Sequence, residues 1–214
     1  MKKIIQFLFA LAIITACKNN EIKSDSPETT APPVPVDRFL VTDSFWGLIT
    51  AASGIDDLRS VYGNSNLVDE RICGAECIDS VDVTFLYRGT KNEATIYWKD
   101  SAYHKLISFV ESYGDGSDWH TPTGIRIGSG FSELLKLNGK KINFYGFGWD
   151  YGGSISSYNG GALENSSVRF GLDITENKNN ALYGDHELNS DMAAVKEAAG
   201  KIKIRQIALL LNKN

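Results

Sequence analysis

The sequence predicts an α+β fold: two tandem helix-plus-antiparallel-strand repeats forming one sheet-containing domain, closed by a C-terminal helix and strand. Two observations carry that expectation. "SGIDDLRSVYG" at 53–63 aligns without a gap on "SGFSELLKLNG" at 129–139, and the same offset sets Ile49 over Ile125 and Ala51 over Ile127. Each copy is then followed by short, β-branched or aromatic segments separated by Gly- and Asn-rich turns, the signature of antiparallel strands. A helix followed by such strands buries its apolar stripe on one sheet face, which is the α+β plan.

The chain has 214 residues, of which 1–16 are read as a cleaved signal segment, 17–36 as a Pro-rich linker beginning at Cys17 and 37–214 as the globular domain. Lys2 and Lys3 precede an apolar run from Ile4 to Ala16 that is too short to span a bilayer, which takes ~20 residues. From Lys18 to Val36 the chain is polar and then proline-rich, with too little apolar surface to offset the entropy of ordering. Repeat one is expected over about 45–112 and repeat two over about 121–176.

Within the repeats, Ser53 and Ser129 are expected to cap the two helices, with Asp57 and Glu133 in the positive first turn. Ile55, Leu58 and Val61 should share one face, as should Phe131, Leu134 and Leu137, and Gly63 and Gly139 suit the terminating position. "VDVTFLY" and "EATIYW" flank "RGTKN" as a hairpin, and "KLISFVE" follows as a strand. In the second copy "KINFYGF", "SISSY" and "VRFGLDI" read as strands, with Asn159-Gly160 as a hairpin turn. The C-terminal elements over 189–212 are a capped helix from Ser190 to Gly200 and the strand "KIKIRQIALLL".

"GFGWDYGG" at 146–153 is the most unusual stretch. A dinucleotide loop must lead from a strand into a helix, because the helix N-terminus holds the pyrophosphate; here "SISSY" follows, so no cofactor is expected. One reading is a tight structural turn in which glycines adopt positive φ and an aromatic folds over bare backbone. The other is a ligand patch, with Trp149 or Tyr151 stacking on a sugar or peptide and Asp150 accepting hydrogen bonds.

Cys73 and Cys77 are close enough to form a small disulfide loop in an oxidising compartment; a redox-active pair and two reduced thiols are the alternatives. His104, His120 and His186 stand singly, which leaves zinc without a ligand set, so no metal is expected. "HELNS" has Ser190 where a zincin needs its second histidine, and "IGSGF" lacks the first glycine of a nucleophile elbow. The formal net charge is −4, and removal of Lys2 and Lys3 makes it more acidic, which disfavours nucleic acid as a partner.

"IITAC", a small Ala16 directly before Cys17 at the end of the apolar run, resembles the lipobox of bacterial lipoproteins. The resemblance implies diacylation of Cys17, cleavage before it and anchoring in the bacterial cell envelope. Lys18, where retained lipoproteins carry Asp, implies delivery to the outer membrane by the same resemblance. "GIRIGSGFSELLKLNGKKINFYGFGWDYGG", with the preceding "ATIYWKD", is similar to a family of uncharacterised bacterial envelope lipoproteins, a likeness that covers most of 45–211 and implies no activity. The doubled helix-then-strands unit is also similar in architecture to tandem β-lactamase-inhibitor-like proteins and to small outer-membrane assembly lipoproteins.

The expected function is therefore a membrane-anchored, non-catalytic module that binds an envelope protein or a glycan. The alternative is a carboxylate-dependent hydrolase of cell-wall or carbohydrate substrates using acids such as Asp150 and Asp173. The anchor gives a direct test. One acyl chain binds a bilayer marginally and two or three bind stably, at ~0.8 kcal/mol per buried methylene. Cys17→Ser should move the mature protein from the membrane pellet to the soluble fraction; a variant that stays in the pellet after a salt wash sinks the anchor.

Overall fold

The computed structural model describes residues 36–73, 80–100 and 102–212. Residues 1–35, with Cys17 and the segments read as signal and linker, and Cys77 lie outside the described residues. Val36–Asn214 clusters as one compact unit.

A two-residue hairpin, β1 (Phe45–Trp46) with β2 (Ile49–Thr50), leads into α1 (Ile55–Tyr62). Four strands follow: β3 (Leu67–Cys73), β4 (Ser80–Leu86), β5 (Ala94–Trp98) and β6 (Ile107–Tyr113). Then come α2 (Phe131–Asn138), β7 (Asn143–Tyr145), β8 (Ile155–Ser157), β9 (Val168–Ile174), β10 (Glu187–Asn189), α3 (Ala193–Ala198) and β11 (Ile202–Leu210). The main sheet has six strands in the order β3-β4-β5-β6-β11-β9, every pair antiparallel; a smaller sheet has the order β10-β7-β8. Among the described residues the fold is mixed α and β, with mostly antiparallel sheets and three α-helices.

The strands reach that arrangement unevenly. β4 and β5 form the hairpin that the sequence pattern predicts, and β9 coincides with "VRFGLDI". β3 gives no apolar alternation, since most of its residues are exposed, yet it pairs with β4 through seven consecutive residues. Charged cross-strand contacts hold it there. The Arg71 guanidinium donates to both carboxylate oxygens of Asp82 at 2.7 Å, which holds the Asp82 carboxyl below the usual carboxylate range. An edge strand clothed in charge is also protected from pairing with another chain.

Both long helices begin differently from the expectation. Gly54 and Gly130 occupy the N-cap positions and offer no side-chain acceptor, while the Asp57 carboxylate accepts from Gly54 N–H at 2.9 Å. The Ser53 hydroxyl accepts instead from Thr50 N–H at 3.0 Å, and Ser129 Oγ from Arg126 N–H at 3.2 Å, so each serine stabilises the turn before its helix. The first orphan N–H of α1 is satisfied from outside the helix: Ile55 N–H donates to the His104 carbonyl at 2.9 Å. Ahead of α2, Gly128 N–H donates to Ile204 O at 2.7 Å and Ile204 N–H to Ser129 O at 2.9 Å, which ties the start of the helix to β11.

The buried faces also shift. Leu58 and Tyr62 face the core from α1 while Val61 is exposed; Phe131, Leu134 and Asn138 face it from α2, with Leu137 half-buried. Tyr62 and Asn138 stand at aligned positions of the segments 53–63 and 129–139, and each hydrogen-bonds backbone outside its own helix. The Tyr62 hydroxyl accepts from Leu48 N–H at 2.8 Å, and burial pushes its pKa up to about 12. Asn138 Nδ2 donates to the carbonyls of Lys140 and Tyr158, both at 2.9 Å, and its Oδ1 accepts from Leu163 N–H at 3.2 Å.

Asn159 and Gly160 both adopt left-handed angles, φ 53 and 68, as a two-residue hairpin turn requires. The strands on either side do not pair with each other: β8 pairs with β7, and β9 with β11. The turn therefore launches the 161–167 loop. The C-terminal helix is shorter than expected, because Ser190 is buried and its hydroxyl accepts from Ile142 N–H at 3.2 Å rather than capping a helix.

Replacing Asn138 by Leu would leave the carbonyls of Lys140 and Tyr158 and the N–H of Leu163 without this partner. At about 1–3 kcal/mol for each buried group left unsatisfied, Asn138→Leu should cost at least ~3 kcal/mol in a urea-unfolding experiment. A loss below ~1 kcal/mol would mean that water replaces the amide.

Candidate functional site

The Gly146–Gly153 stretch links β7 to β8, and its glycines are demanded by sterics more than by φ alone. Gly148 (φ 83) and Gly153 (φ 76) lie in the left-handed region. A Cβ on Gly146 would stand 2.6 Å from the Gly184 carbonyl oxygen, and one on Gly152 2.9 Å from that of Trp149. Gly153 is tighter still, packed on the Leu172 carbonyl of β9. These close approaches are hydrogen-bonded seams: Gly146 N–H donates to His186 O, Phe147 N–H to Leu182 O, Gly153 N–H to Tyr145 O and Leu172 N–H to Gly153 O, all at 2.8–2.9 Å. Arg205, the extra residue of a bulge in β11, donates through Nη2 to the Gly152 carbonyl at 3.1 Å.

On this backbone the aromatic side chains divide. Phe147 is buried and packs against Phe144 and Tyr183. Trp149 is half-buried, its Nε1–H donating to Gly146 O at 2.8 Å, so the indole is fixed by its own turn. Tyr145 and Tyr151 meet it edge-on, with ring centroids at 5.8 and 5.3 Å and interplanar angles of 86° and 68°. Tyr151 is 60% exposed and Tyr145 37% exposed, and the Asp150 carboxylate is on the surface beside them. Trp149, Asp150 and Tyr151 thus lie together at the surface, and Tyr145, which the sequence gives no reason to single out, completes the aromatic row.

Next to Tyr145 the small sheet carries fixed polar groups. Glu187, opposite Tyr145 in the register, accepts from Ser156 Oγ at 2.5 Å and Asn143 Nδ2 at 3.2 Å. Asn159 Nδ2 donates to Asn143 Oδ1 at 3.0 Å. The result is an exposed aromatic row beside oriented amide, hydroxyl and carboxylate groups.

Two further polar clusters could not be seen in the sequence, because their members come from different strands. Near α1, the His104 ring (φ 50) stacks on Trp98 at 4.8 Å, with Nδ1 3.8 Å from Asp69 Oδ1. Asp69 also accepts from Thr84 Oγ1 at 2.6 Å and from Arg59, and Trp98 Nε1–H donates to the fully buried Thr84 hydroxyl. On the other face of the main sheet, Glu111 is only 8% exposed and accepts from Gln206 Nε2 at 2.7 Å and the Tyr113 hydroxyl at 3.2 Å. Burial and then the Glu111 charge push the Tyr97 and Tyr113 phenols well above their ordinary value.

The other residues singled out from the sequence are dispersed. Asp173 lines a groove with Asp115, Lys201, Lys203 and Arg205, and its Oδ1 accepts from Ile174 N–H at 2.8 Å. His120 pairs with Asp37 at 3.1 Å, and His186 Nε2 lies 3.1 Å from the Ala181 carbonyl. Among the described residues no group of three or more His, Cys, Asp or Glu side chains is placed to hold a metal ion. Cys73, the last residue of β3, is disulfide-bonded, and Cys77 lies outside the described residues. No helix among the described residues is long and apolar enough to cross a membrane.

No family model matches the chain, and no curated protein matches it. Among solved structures, the chain is similar to the uncharacterized protein yfeY from Escherichia coli, at 13% identity and a TM-score of 0.48, over 79% of this chain and 98% of that one. A likeness at that level carries no argument about fold or function.

The geometry separates backbone from side chain in this stretch. Gly153→Ala should destabilise severely, by more than ~3 kcal/mol, because a Cβ there meets β9 backbone in a left-handed conformation. Trp149→Ala removes one hydrogen bond and a half-buried ring, which should cost about 2 kcal/mol rather than the 3–5 of a fully buried aromatic. Thermal melts of the two variants check the order.

Proposed function

We propose that the protein is a membrane-anchored envelope lipoprotein, held by acyl chains on Cys17, whose domain binds a glycan or a protein partner without catalysing a reaction. Lys18 supports delivery to the outer membrane, by the resemblance to sorted lipoproteins. The observation that carries the binding reading is the division within Gly146–Gly153. The backbone is locked into the fold by four hydrogen-bonded seams, while Tyr145 and Tyr151 keep their rings in solvent against a fixed indole. Rigid aromatics offer large contact area at low entropic cost, and their faces suit the C–H surface of a sugar ring or an apolar peptide side chain. Asp150, Glu187 and Asn143 would supply hydrogen bonds to hydroxyl or amide groups.

Two structural readings accompany it. The tandem relation between the repeats is supported by helices of equal length that start after a glycine cap and end at a glycine. A Cys73–Cys77 disulfide is supported by the envelope compartment and by the bonded state of Cys73.

The test is retention of the full chain on immobilised envelope glycans and on an envelope-protein column. Tyr151 is exposed, so Tyr151→Ala should leave the melting temperature within about 2 °C of the parent, as surface substitutions do. The same variant should weaken retention at least tenfold. Undiminished retention for Tyr151→Ala and Tyr145→Ala together would remove the aromatic row as the binding surface.

A further inference from the structure

The small sheet has one face on the core and one in solvent, and the solvent face runs from the aromatic row to a cluster of lysines. Along β7 and the residues before it, Ile142 and Phe144 are buried, Lys141 and Tyr145 are exposed, and Asn143 is half-buried between them. Extended chain alternates faces with a period of two, so Lys141, Asn143 and Tyr145 share the outer face. β10 repeats the alternation beside it, with Leu188 and Ser190 buried and Glu187 and Asp191 exposed. Ser190 N–H donates to Ile142 O at 3.0 Å, which carries the pairing one residue beyond the strands.

At the end away from Tyr145 lies an open groove of about 460 Å³. Lys136, in the last turn of α2, lines it together with Lys140, Lys141, Ser132 and Ser190. The backbone under the lysines is fixed: the Lys140 carbonyl accepts from Asn138 Nδ2 at 2.9 Å and that of Lys141 from Asn159 Nδ2 at 3.2 Å. All three lysines are exposed, and among the described residues none of them pairs with a carboxylate. Asp191, the acid in the lining, lies 3.8 Å from Lys196 instead. Arg59, Arg71, Arg88 and Lys91, by contrast, each meet an acid. Exposed ion pairs add little stability, so leaving three cations without acids costs the fold little. What it creates is a local positive field on a chain whose formal charge is −4.

We propose that the strip binds an acidic glycan, with a sugar ring on the aromatic row and an anionic group of the same oligomer in the lysine groove. This rests on the glycan reading of the aromatic row and narrows it to sugars that carry negative charge. Four residues of extended chain separate Lys141 from Tyr145, about 13 Å, so the ligand is an oligomer and not a single sugar. Between the two ends, the Glu187 carboxylate is oriented by Ser156 and Asn143, and Asp150 is exposed beside the aromatics. Both acids accept from hydroxyl groups, which every ring of a glycan offers. An acidic peptide would set its own carboxylates against them, which selects against it.

The experiment measures binding of the full chain to hexagalacturonate, to its carboxyl-reduced, uncharged counterpart and to hexaglutamate at pH 7. In about 50 mM NaCl hexagalacturonate should bind at least tenfold tighter than the uncharged oligomer, and about 500 mM NaCl should erase that preference. Lys136→Gln, Lys140→Gln and Lys141→Gln combined should bring the two oligomers to equal affinity without weakening the uncharged one. Lys141→Gln alone, the milder change should the triple variant fail to fold, should already weaken hexagalacturonate. The same substitution at Lys91, Lys99 and Lys105, in loops of the main sheet, should leave the preference intact. Tyr151→Ala should weaken both oligomers. Equal affinities in the parent would overturn the lysine groove and leave the aromatic row standing, whereas binding of neither oligomer would overturn both. A preference that survives the triple substitution, one lost equally with the three distant lysines, or hexaglutamate binding as tightly as hexagalacturonate would each overturn the proposal.

Discussion

The antiparallel pairing of β11 between β6 and β9 is the constraint on which the rest of the structure depends. Seven residues of β11 pair with β9 and five with β6, so this strand lies inside the main sheet and not at its edge. Ile204, Ile207 and Leu209 are buried there, and the backbone groups of Ile204 hold the start of α2. Buried backbone polar groups must be paired, so displacing β11 would orphan two ladders and the helix start at once. These contacts have long sequence separation, a topology whose loop-closure entropy is met before the contacts reward it.

From that strand the candidate surface inherits its rigidity. The bulge at Arg205 interrupts the β11–β9 register and sends the guanidinium to the Gly152 carbonyl, while β9 receives Gly153 directly. The glycine-rich turn is thus mounted on the main sheet at two points. Its aromatics are presented from a fixed frame, which under the proposed function would lower the entropy lost on binding a partner. The small sheet contributes the neighbouring polar groups through Glu187, whose carboxylate is oriented by Ser156 and Asn143. Aromatic and polar elements therefore come from three segments, and the binding reading rests on their fixed juxtaposition.

The polar clusters near α1 and on the outer sheet face have a structural explanation. Thr84 is fully buried, and its hydroxyl accepts from Trp98 and donates to Asp69, which satisfies three groups with one atom. Glu111 is buried yet receives donors from Gln206 on the adjacent β11 and from Tyr113 two residues along its own strand. A buried charge without such partners would be costly.

Much of the local structure was legible in the sequence. The positions of α1 and α2, the β4–β5 hairpin, β9 and β11 follow from short-range periodicity and turn residues, which act through steric preference and apolar spacing alone. The glycines of 146–153 likewise announce a tight backbone. Tertiary contacts decided the rest. β3 is a strand because β4 offers a ladder and Asp82 a partner for Arg71, although its own pattern is charged. Ser190 looks like a cap, but the distant Ile142 N–H claims its hydroxyl, whereas Ser53 and Ser129 are claimed locally, by turn N–H groups of Thr50 and Arg126. The Asn159-Gly160 turn has hairpin angles, yet β7 and β11 take its flanking strands. Sequence pattern reports what a segment prefers by itself; which preference is realised depends on hydrogen-bond partners tens of residues away, and those exist only once the sheet has formed.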